Sequence, residues 1–159
     1  MNNNINNIII DENTILDLFL LHQRKNIPDE KKLSYDDIQR ISKYLKTSPF
    51  DENICACAIW TGYISNQNNK FKSPYVNFTY NKKKIPLHRI LFVNFSDDLS
   101  QQEYIKYICP NKGKCCNIKH MKKCSYNSSE KQESTEHVES TTHNVNDINK
   151  QSNIIRINF

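Results

Sequence analysis

At 159 residues, 37% hydrophobic and with a mean hydropathy of -0.74, the chain has room for one domain but only a small core. Its two glycines, Gly62 and Gly113, exclude a Gly-rich phosphate loop, and cores this small are commonly supplemented by metals or disulfides. The formal charge of +5 is mild, but residues 70–123 hold twelve Lys or Arg against Asp97, Asp98 and Glu103, a concentration that attracts polyanions.

Asn, Ile and Lys dominate the composition, which reads as the codon bias of an AT-rich genome such as a large DNA virus or an AT-rich protist. The start, MNNNINNIIIDENT, has no cationic stretch followed by a long apolar run, so no secretory signal is expected. Residues 15–21 are apolar but too short to cross a bilayer and include Asp17, so no membrane partner is expected either. Six cysteines without an export signal imply an intracellular, reducing compartment: cytoplasm, nucleus or a virus-infected host cell. There, metal binding is favoured over disulfides.

In chain order, the sequence divides into an Asn-rich segment with one helix (1–30), a domain that carries every cysteine (31–127) and a low-complexity tail (128–159). The first helix is predicted over residues 12–23, with Leu16, Phe19 and Leu20 near one face, serving to dock on the domain. The second is predicted over 34–45, with Ser34 as N-cap, Asp37 three residues on, an Ile38–Ile41–Leu45 stripe, and Ser48-Pro49 as its stop. Residues 56–64 read as a strand with Trp60 and Tyr63 in the core. Residues 75–80 alternate, Val76, Phe78 and Tyr80 against Tyr75, Asn77 and Thr79, and Asn81-Lys82 turns the chain into 83–87. The result is a hairpin with a lysine-rich tip, its basic arm starting at Lys70. A short helix over 88–94 should face Ile90, Leu91 and Phe95 inward, and 103–108 reads as a strand entering a cysteine cluster. The tail cannot bury enough surface to offset its ordering entropy and is expected to be disordered, apart from a possible strand at 153–159. His137 and His143 within it read as solvated side chains.

The cluster runs Cys109-Pro-Asn-Lys-Gly-Lys-Cys115-Cys116-Asn117-Ile-Lys-His120. Two thiolates across a tight loop bent at Lys112-Gly113, then an imidazole from the following helical turn, can reach one tetrahedral zinc ion. The fourth ligand is assigned to Cys57 in the early strand, with Cys55 on the same strand face as its competitor. Cys116 and Cys124 are spare. A site closed over so long a sequence separation makes metal binding part of folding. Zinc is preferred on ligand type.

Three blocks resemble the zinc-bound HNH homing endonucleases of the His-Me finger superfamily. Cys57-Ala-Ile-Trp60-Thr-Gly62 is similar to their Cys-Trp-x-Trp-x-Gly opening, and Lys83-Lys-Ile-Pro-Leu-His88-Arg89 to their Gly-Lys-x-x-x-His-Arg segment. Cys109 to His120 is similar to their Cys-x4-Cys-x-Asn-Pro-x-His knuckle, with one extra loop residue and Ile118 where Pro is usual. The resemblance covers less than half of the chain. It implies an α+β fold around a ββα-metal core, and it supports Cys57 as the fourth ligand. The zinc-binding DNA-binding domain of SMAD transcription factors is a nuclease-dead relative with a similar ligand set. The resemblance also implies a homodimer.

In the active family a catalytic His, the general base, precedes the first knuckle cysteine by two residues. Tyr107 stands there, and a phenol is a poor base at neutral pH. The family's metal-binding Asn corresponds to Ser129, with Asn127 two residues out of register. Without these groups little remains to activate water or hold Mg2+ against a phosphate. The expected function is therefore binding of double-stranded DNA without cleavage, in a regulatory or architectural role. Lys70, Lys72, Lys82, Lys83, Lys84 and Arg89 are its candidate contacts. The alternatives are an active endonuclease with a relocated base such as His88, otherwise read as a packed corner residue, and a zinc-scaffolded protein-interaction module that binds through its tail and the Leu16–Phe19–Leu20 face.

Overall fold

The computed structural model describes residues 9–126. The Asn-rich start at 1–8 lies outside the described residues, as do the expected tail with His137, His143 and the strand at 153–159, and positions 127 and 129. The described chain is mixed α+β, with three α-helices and two small antiparallel sheets. No helix among the described residues is long and apolar enough to cross a membrane.

Helix α1 spans Glu12–His22 and is capped by Asp11, whose carboxylate accepts the Thr14 backbone N–H at 3.0 Å. Its buried face is Ile15, Leu16 and Phe19, whereas Leu20, expected on that face, is 41% exposed. Leu20 lies about 140° around the helix from Ile15, beyond the edge of a stripe centred between Ile15 and Leu16. Phe19 packs against Phe50 and Phe95, with ring centroids 5.6 and 4.9 Å away, so α1 docks into the shared core.

Helix α2 spans Tyr35–Ser42 behind a reciprocal Ser34/Asp37 capping box. Ile38, Ile41 and Leu45 are all buried as their spacing predicts, but the α-helix ends three residues early. Ser42 bonds back to the Ile38 carbonyl through Oγ at 2.9 Å, and Tyr44 and Leu45 donate to Ile41 and Ser42. These i to i−3 bonds tighten the last turn and still deliver Leu45 to the core.

The strand expected at 56–64 does not form a ladder. The segment meets the cysteine loop at one isolated bridge, Ile59 opposite Cys115. Trp60 N donates to Lys114 O at 3.0 Å and Cys116 N to Ala58 O at 2.7 Å. Beyond it, Thr61 N turns to the Tyr44 carbonyl at 2.9 Å, so each backbone group finds a different neighbour and no regular strand pairing propagates. Trp60 is buried as expected, but Tyr63 is 84% exposed and is not a core residue.

Strands β1 (Asn77–Tyr80) and β2 (Lys83–Pro86) pair antiparallel from Tyr80–Lys83 back to Asn77–Pro86. Asn81 and Lys82 both have positive φ, 48° and 62°, the two-residue turn whose twist matches a hairpin. Val76, Phe78 and Tyr80 are buried and Asn77 and Thr79 exposed. Lys70 and Lys72 are not on this hairpin. They sit in the preceding loop, which the Ser65–Tyr75 bridge closes before β1 starts. Helix α3 (Leu87–Phe95) follows directly and buries Ile90, Leu91 and Phe95. From its third turn the fully buried Asn94 reaches back to the N-terminal segment. It accepts Leu33 N at 2.9 Å and donates to Lys31 O and Ile90 O, both at 2.9 Å. Strand β3 (Glu103–Tyr107) pairs antiparallel with β4 (Met121–Ser125), Tyr107 opposite Met121.

Candidate metal centre

Strands β3 and β4 form the two posts of the cysteine loop. Where they end, Ile108 N donates to His120 O at 2.9 Å and closes residues 109–120 into a knuckle. Lys114 N and Cys115 N both bond to Asn111 O, at 3.2 and 3.0 Å, making the tight turn between the two cysteines. Gly113 sits in it at φ +73°, and a Cβ there would lie 1.9 Å from the Pro74 carbonyl oxygen, so only glycine fits the turn as built. The single 3-10 turn Ile118–His120 then carries the imidazole back over the loop. Cys57 arrives from the 56–60 segment, which the Ile59–Cys115 bridge fixes against the knuckle.

The Sγ atoms of Cys57, Cys109 and Cys115 and a ring nitrogen of His120 lie within 4.8 Å of one another, and all four residues are buried. His120 Nδ1 is 3.5 Å from both Cys57 Sγ and Cys115 Sγ. A tetrahedral ion with the usual zinc bond lengths holds sulfur and nitrogen about 3.5 Å apart, so the imidazole already stands at coordinating separation. The other ring nitrogen, Nε2, lies 3.0 Å from the Asn53 carbonyl. With Nε2–H donating there, Nδ1 is left as the lone-pair atom facing the sulfurs.

Three thiolates and an imidazole match a closed structural zinc site, with no carboxylate in the group and four ligands to fill a tetrahedron. The group can hold a metal such as zinc. Burial, the largest cause, pushes the thiols of Cys109 and Cys115 up, and neighbouring sulfurs add to it. Metal loading must therefore expel protons from this pocket.

Cys55, the competing ligand, is exposed and lies outside the four-residue group. The chain turns there, with Cys55 N held by Asn53 Oδ1 at 3.0 Å and Ala56 N by Asn53 O at 2.8 Å, so the strand alternation that would have aligned the two thiols is absent. Cys116 is buried in the main core, its thiol pushed up to about 12 by burial, while Cys124 is half-buried on β4.

Two supporting residues escaped the sequence reading. Asn117 is fully buried and its amide donates to Asp51 O at 2.9 Å and Ala56 O at 2.8 Å, tying the knuckle to the segment that delivers Cys57. Its Oδ1 caps the 3-10 turn at Lys119 N, and its own N–H donates to Cys115 Sγ at 3.4 Å. Asn53, which orients His120, acts through its backbone, so no side-chain pattern marks it. For Asn117 two signals were available, the Asn of the knuckle motif quoted above and the Asx position before a helical turn.

Tyr107 packs against the cluster of Cys57, Cys109 and Cys115, and burial raises its hydroxyl above the ordinary phenol range. The His88 ring lies edge-on to it with centroids 5.8 Å apart. Burial, and secondarily Arg89, lowers His88 to about 4, the behaviour of a packed corner histidine. Among the candidate nucleic-acid contacts, Lys82, Lys83 and Lys84 are exposed together at the hairpin tip. Lys70 and Lys72 are exposed in the loop before β1, and Arg89 is half-buried in the first turn of α3.

Among curated proteins the chain is similar to an uncharacterized protein of Acanthamoeba polyphaga mimivirus, 45% identical over 116 residues. The match covers 73% of this chain, which spans about a third (33%) of that relative's length. No family model matches, and no solved structure matches.

Proposed function

We propose that the chain is a zinc-stabilised domain of His-Me finger ancestry that binds double-stranded DNA without cleaving it. The observation that carries this reading is the buried Cys57–Cys109–Cys115–His120 group, set in a knuckle between two paired strands with Tyr107 at the position of the expected base. A ββα-metal core consists of two such strands and a following helix. β3 and β4 would supply the strands of such a core. A phenol raised above its ordinary range does not take a proton from water at neutral pH, so the same site argues for retention of the fold without the chemistry. The exposed Lys82–Lys84 tip and the wider basic field supply phosphate contacts whose affinity falls with salt.

Titration of zinc-loaded protein against supercoiled plasmid with Mg2+ tests the reading. Salt-sensitive retardation of intact plasmid is the expected result. Nicked or linear product that a chelator abolishes and His88→Ala removes would establish the endonuclease alternative. The His88 ring beside Tyr107 is the observation that favours that alternative, but a group lowered to about 4 is a weak proton acceptor. The protein-interaction alternative loses one of its surfaces, because Leu16 and Phe19 are already buried against the domain.

A further inference from the structure

Residues 65–75 form a loop that the fold holds in shape around one outward-facing ring. Its ends are clamped by Ser65 N to Tyr75 O at 2.8 Å and Tyr75 N to Ser65 O at 3.1 Å. Inside, Asn66 takes a left-handed conformation at φ 58° and its carbonyl accepts Asn69 N at 3.0 Å. Asn69 Oδ1 then accepts both Phe71 N at 2.8 Å and Lys72 N at 3.0 Å. The base of the loop rests on the knuckle, where the Pro74 carbonyl abuts Gly113. At the tip of this braced loop Phe71 is 97% exposed, with exposed Lys70 and Lys72 on either side.

A lone exposed apolar residue carries no information, but this one is held out by side-chain bonds to its own backbone and to its neighbour's. Its electrostatic setting is equally one-sided. No Asp or Glu occurs between Glu52 and Asp97, a stretch that contains Lys70, Lys72, Lys82, Lys83, Lys84 and Arg89. A ring flanked by cations, on a stretch of chain without carboxylates, suits a ligand with both a flat π-face and a repeating negative charge, which is a nucleic-acid strand.

We propose that Phe71 is a base-stacking contact for an unpaired or unstacked nucleotide, with Lys70 and Lys72 gripping the adjoining phosphates. This rests on the nucleic-acid reading above and adds to it a site away from the β1–β2 tip. The test compares the zinc-loaded full chain on two labelled strands of about twenty residues, long enough for a single site: oligo-dT and an abasic backbone of equal length. Wild type is expected to bind oligo-dT about tenfold more tightly than the abasic strand, the order of one stacked base. Phe71→Ala should erase that preference while leaving the salt dependence unchanged, and Phe71→Trp should keep it. Because Phe71 touches almost nothing, both variants should melt like wild type.

Equal wild-type affinity for the two strands, or a preference that survives Phe71→Ala, overturns the Phe71 assignment while leaving nucleic-acid binding intact. Absence of salt-sensitive binding to either strand and to duplex DNA overturns both readings together. Binding to phosphatidylserine vesicles that is lost in Phe71→Ala, without any base preference, would overturn the assignment in favour of a lipid surface.

Discussion

His120 Nδ1 stands 3.5 Å from the sulfur of Cys57, a residue 63 positions earlier in the chain, while its Nε2 faces the Asn53 carbonyl. One imidazole thus joins the knuckle to the opening segment through both nitrogens. Its orientation is set by backbone that belongs to the segment it is meant to anchor. The ligand set and the fold around it consequently stand or fall together.

Removing one ligand should therefore cost more than a metal. Purified chain is expected to carry one zinc per molecule by elemental analysis, and Cys57→Ser or His120→Ala should carry almost none. Structural zinc contributes about 10–16 kcal/mol of apparent binding energy at pH 7, as large as the whole stability of a typical domain, so these variants and chelator-treated wild type should lose cooperative melting. Cys55→Ser, at an exposed position outside the group, should keep both metal and melting temperature. Loss of zinc in Cys55→Ser with retention in Cys57→Ser would reverse the ligand assignment.

Asn94 is the polar counterpart of that staple. Its fully buried amide serves Leu33 N, Lys31 O and Ile90 O, and accepts Gln23 Nε2 at 3.2 Å. It fastens the stretch between α1 and α2 to helix α3. Asn94→Ala leaves several of these groups without partners, and the expected loss is about 2–4 kcal/mol, at one to three for each stranded buried group. Asn94→Asp should be at least as costly, because the carboxylate loses both donor bonds and buries a charge. Urea denaturation with an unchanged m-value would measure it.

How far the sequence carries is visible in these same residues. Periodicity located α1, α2 and α3 because each puts a stripe on one core, and the Asn81-Lys82 turn announced β1 and β2. The spacing of Cys109, Cys115 and His120 placed three members of the metal group, and Cys57 followed from the need for a fourth and from resemblance. Strand β4 was hidden, since Met121-Lys-Lys-Cys-Ser125 carries no apolar alternation and pairs through its backbone with β3. Residues 56–64 look like a strand because they are apolar and β-prone. Their hydrogen bonds go to three separate places, which no local pattern encodes. Asn94 and Asn117 are polar yet fully buried, each bonded among others to backbone groups that lie tens of residues away.

The histidine beside Tyr107 gives the fold an acid limit. His88 titrates at about 4 when folded against an ordinary value near 6.5, with burial the main cause. Between those values the unfolded chain binds more protons than the folded one, so stability is full above pH 6.5 and falls as pH drops toward 4. The loss by pH 4 is about 3 kcal/mol on this group alone. Chemical denaturation of wild type and His88→Phe across pH 4–7 separates this group from protonation of the cysteines of the metal group, which both proteins share. The wild-type curve should fall more steeply by roughly that amount. Parallel curves would mean that the histidine is solvated.

The two glycines should differ sharply in tolerance, though both sit in loops. A Cβ on Gly62 would come within 2.7 Å of Trp60 Nε1 and 2.8 Å of Tyr44 Cδ1, both side-chain atoms of rings packed at a tilt of 36° with centroids 4.7 Å apart. Both contacts are closer than a real Cβ tolerates, so a ring must move, and the half-exposed Tyr44 has room to do so; Gly62→Ala is expected to cost about 1–3 kcal/mol, the scale of overpacking. At Gly113 the obstacle is the Pro74 carbonyl at 1.9 Å, a backbone atom at the base of the Phe71 loop, and φ is +73° as well. Neither strain can be relieved without moving Cys109 and Cys115 apart or lifting the 65–75 loop from the knuckle. Gly113→Ala should therefore lose more than about 3 kcal/mol and release its metal to a chromogenic chelator faster than wild type. Gly62→Ala should hold its metal at the wild-type rate. If Gly113→Ala matched wild type in both melting and metal release, the knuckle would have to adopt a turn other than the one that seats it against Pro74.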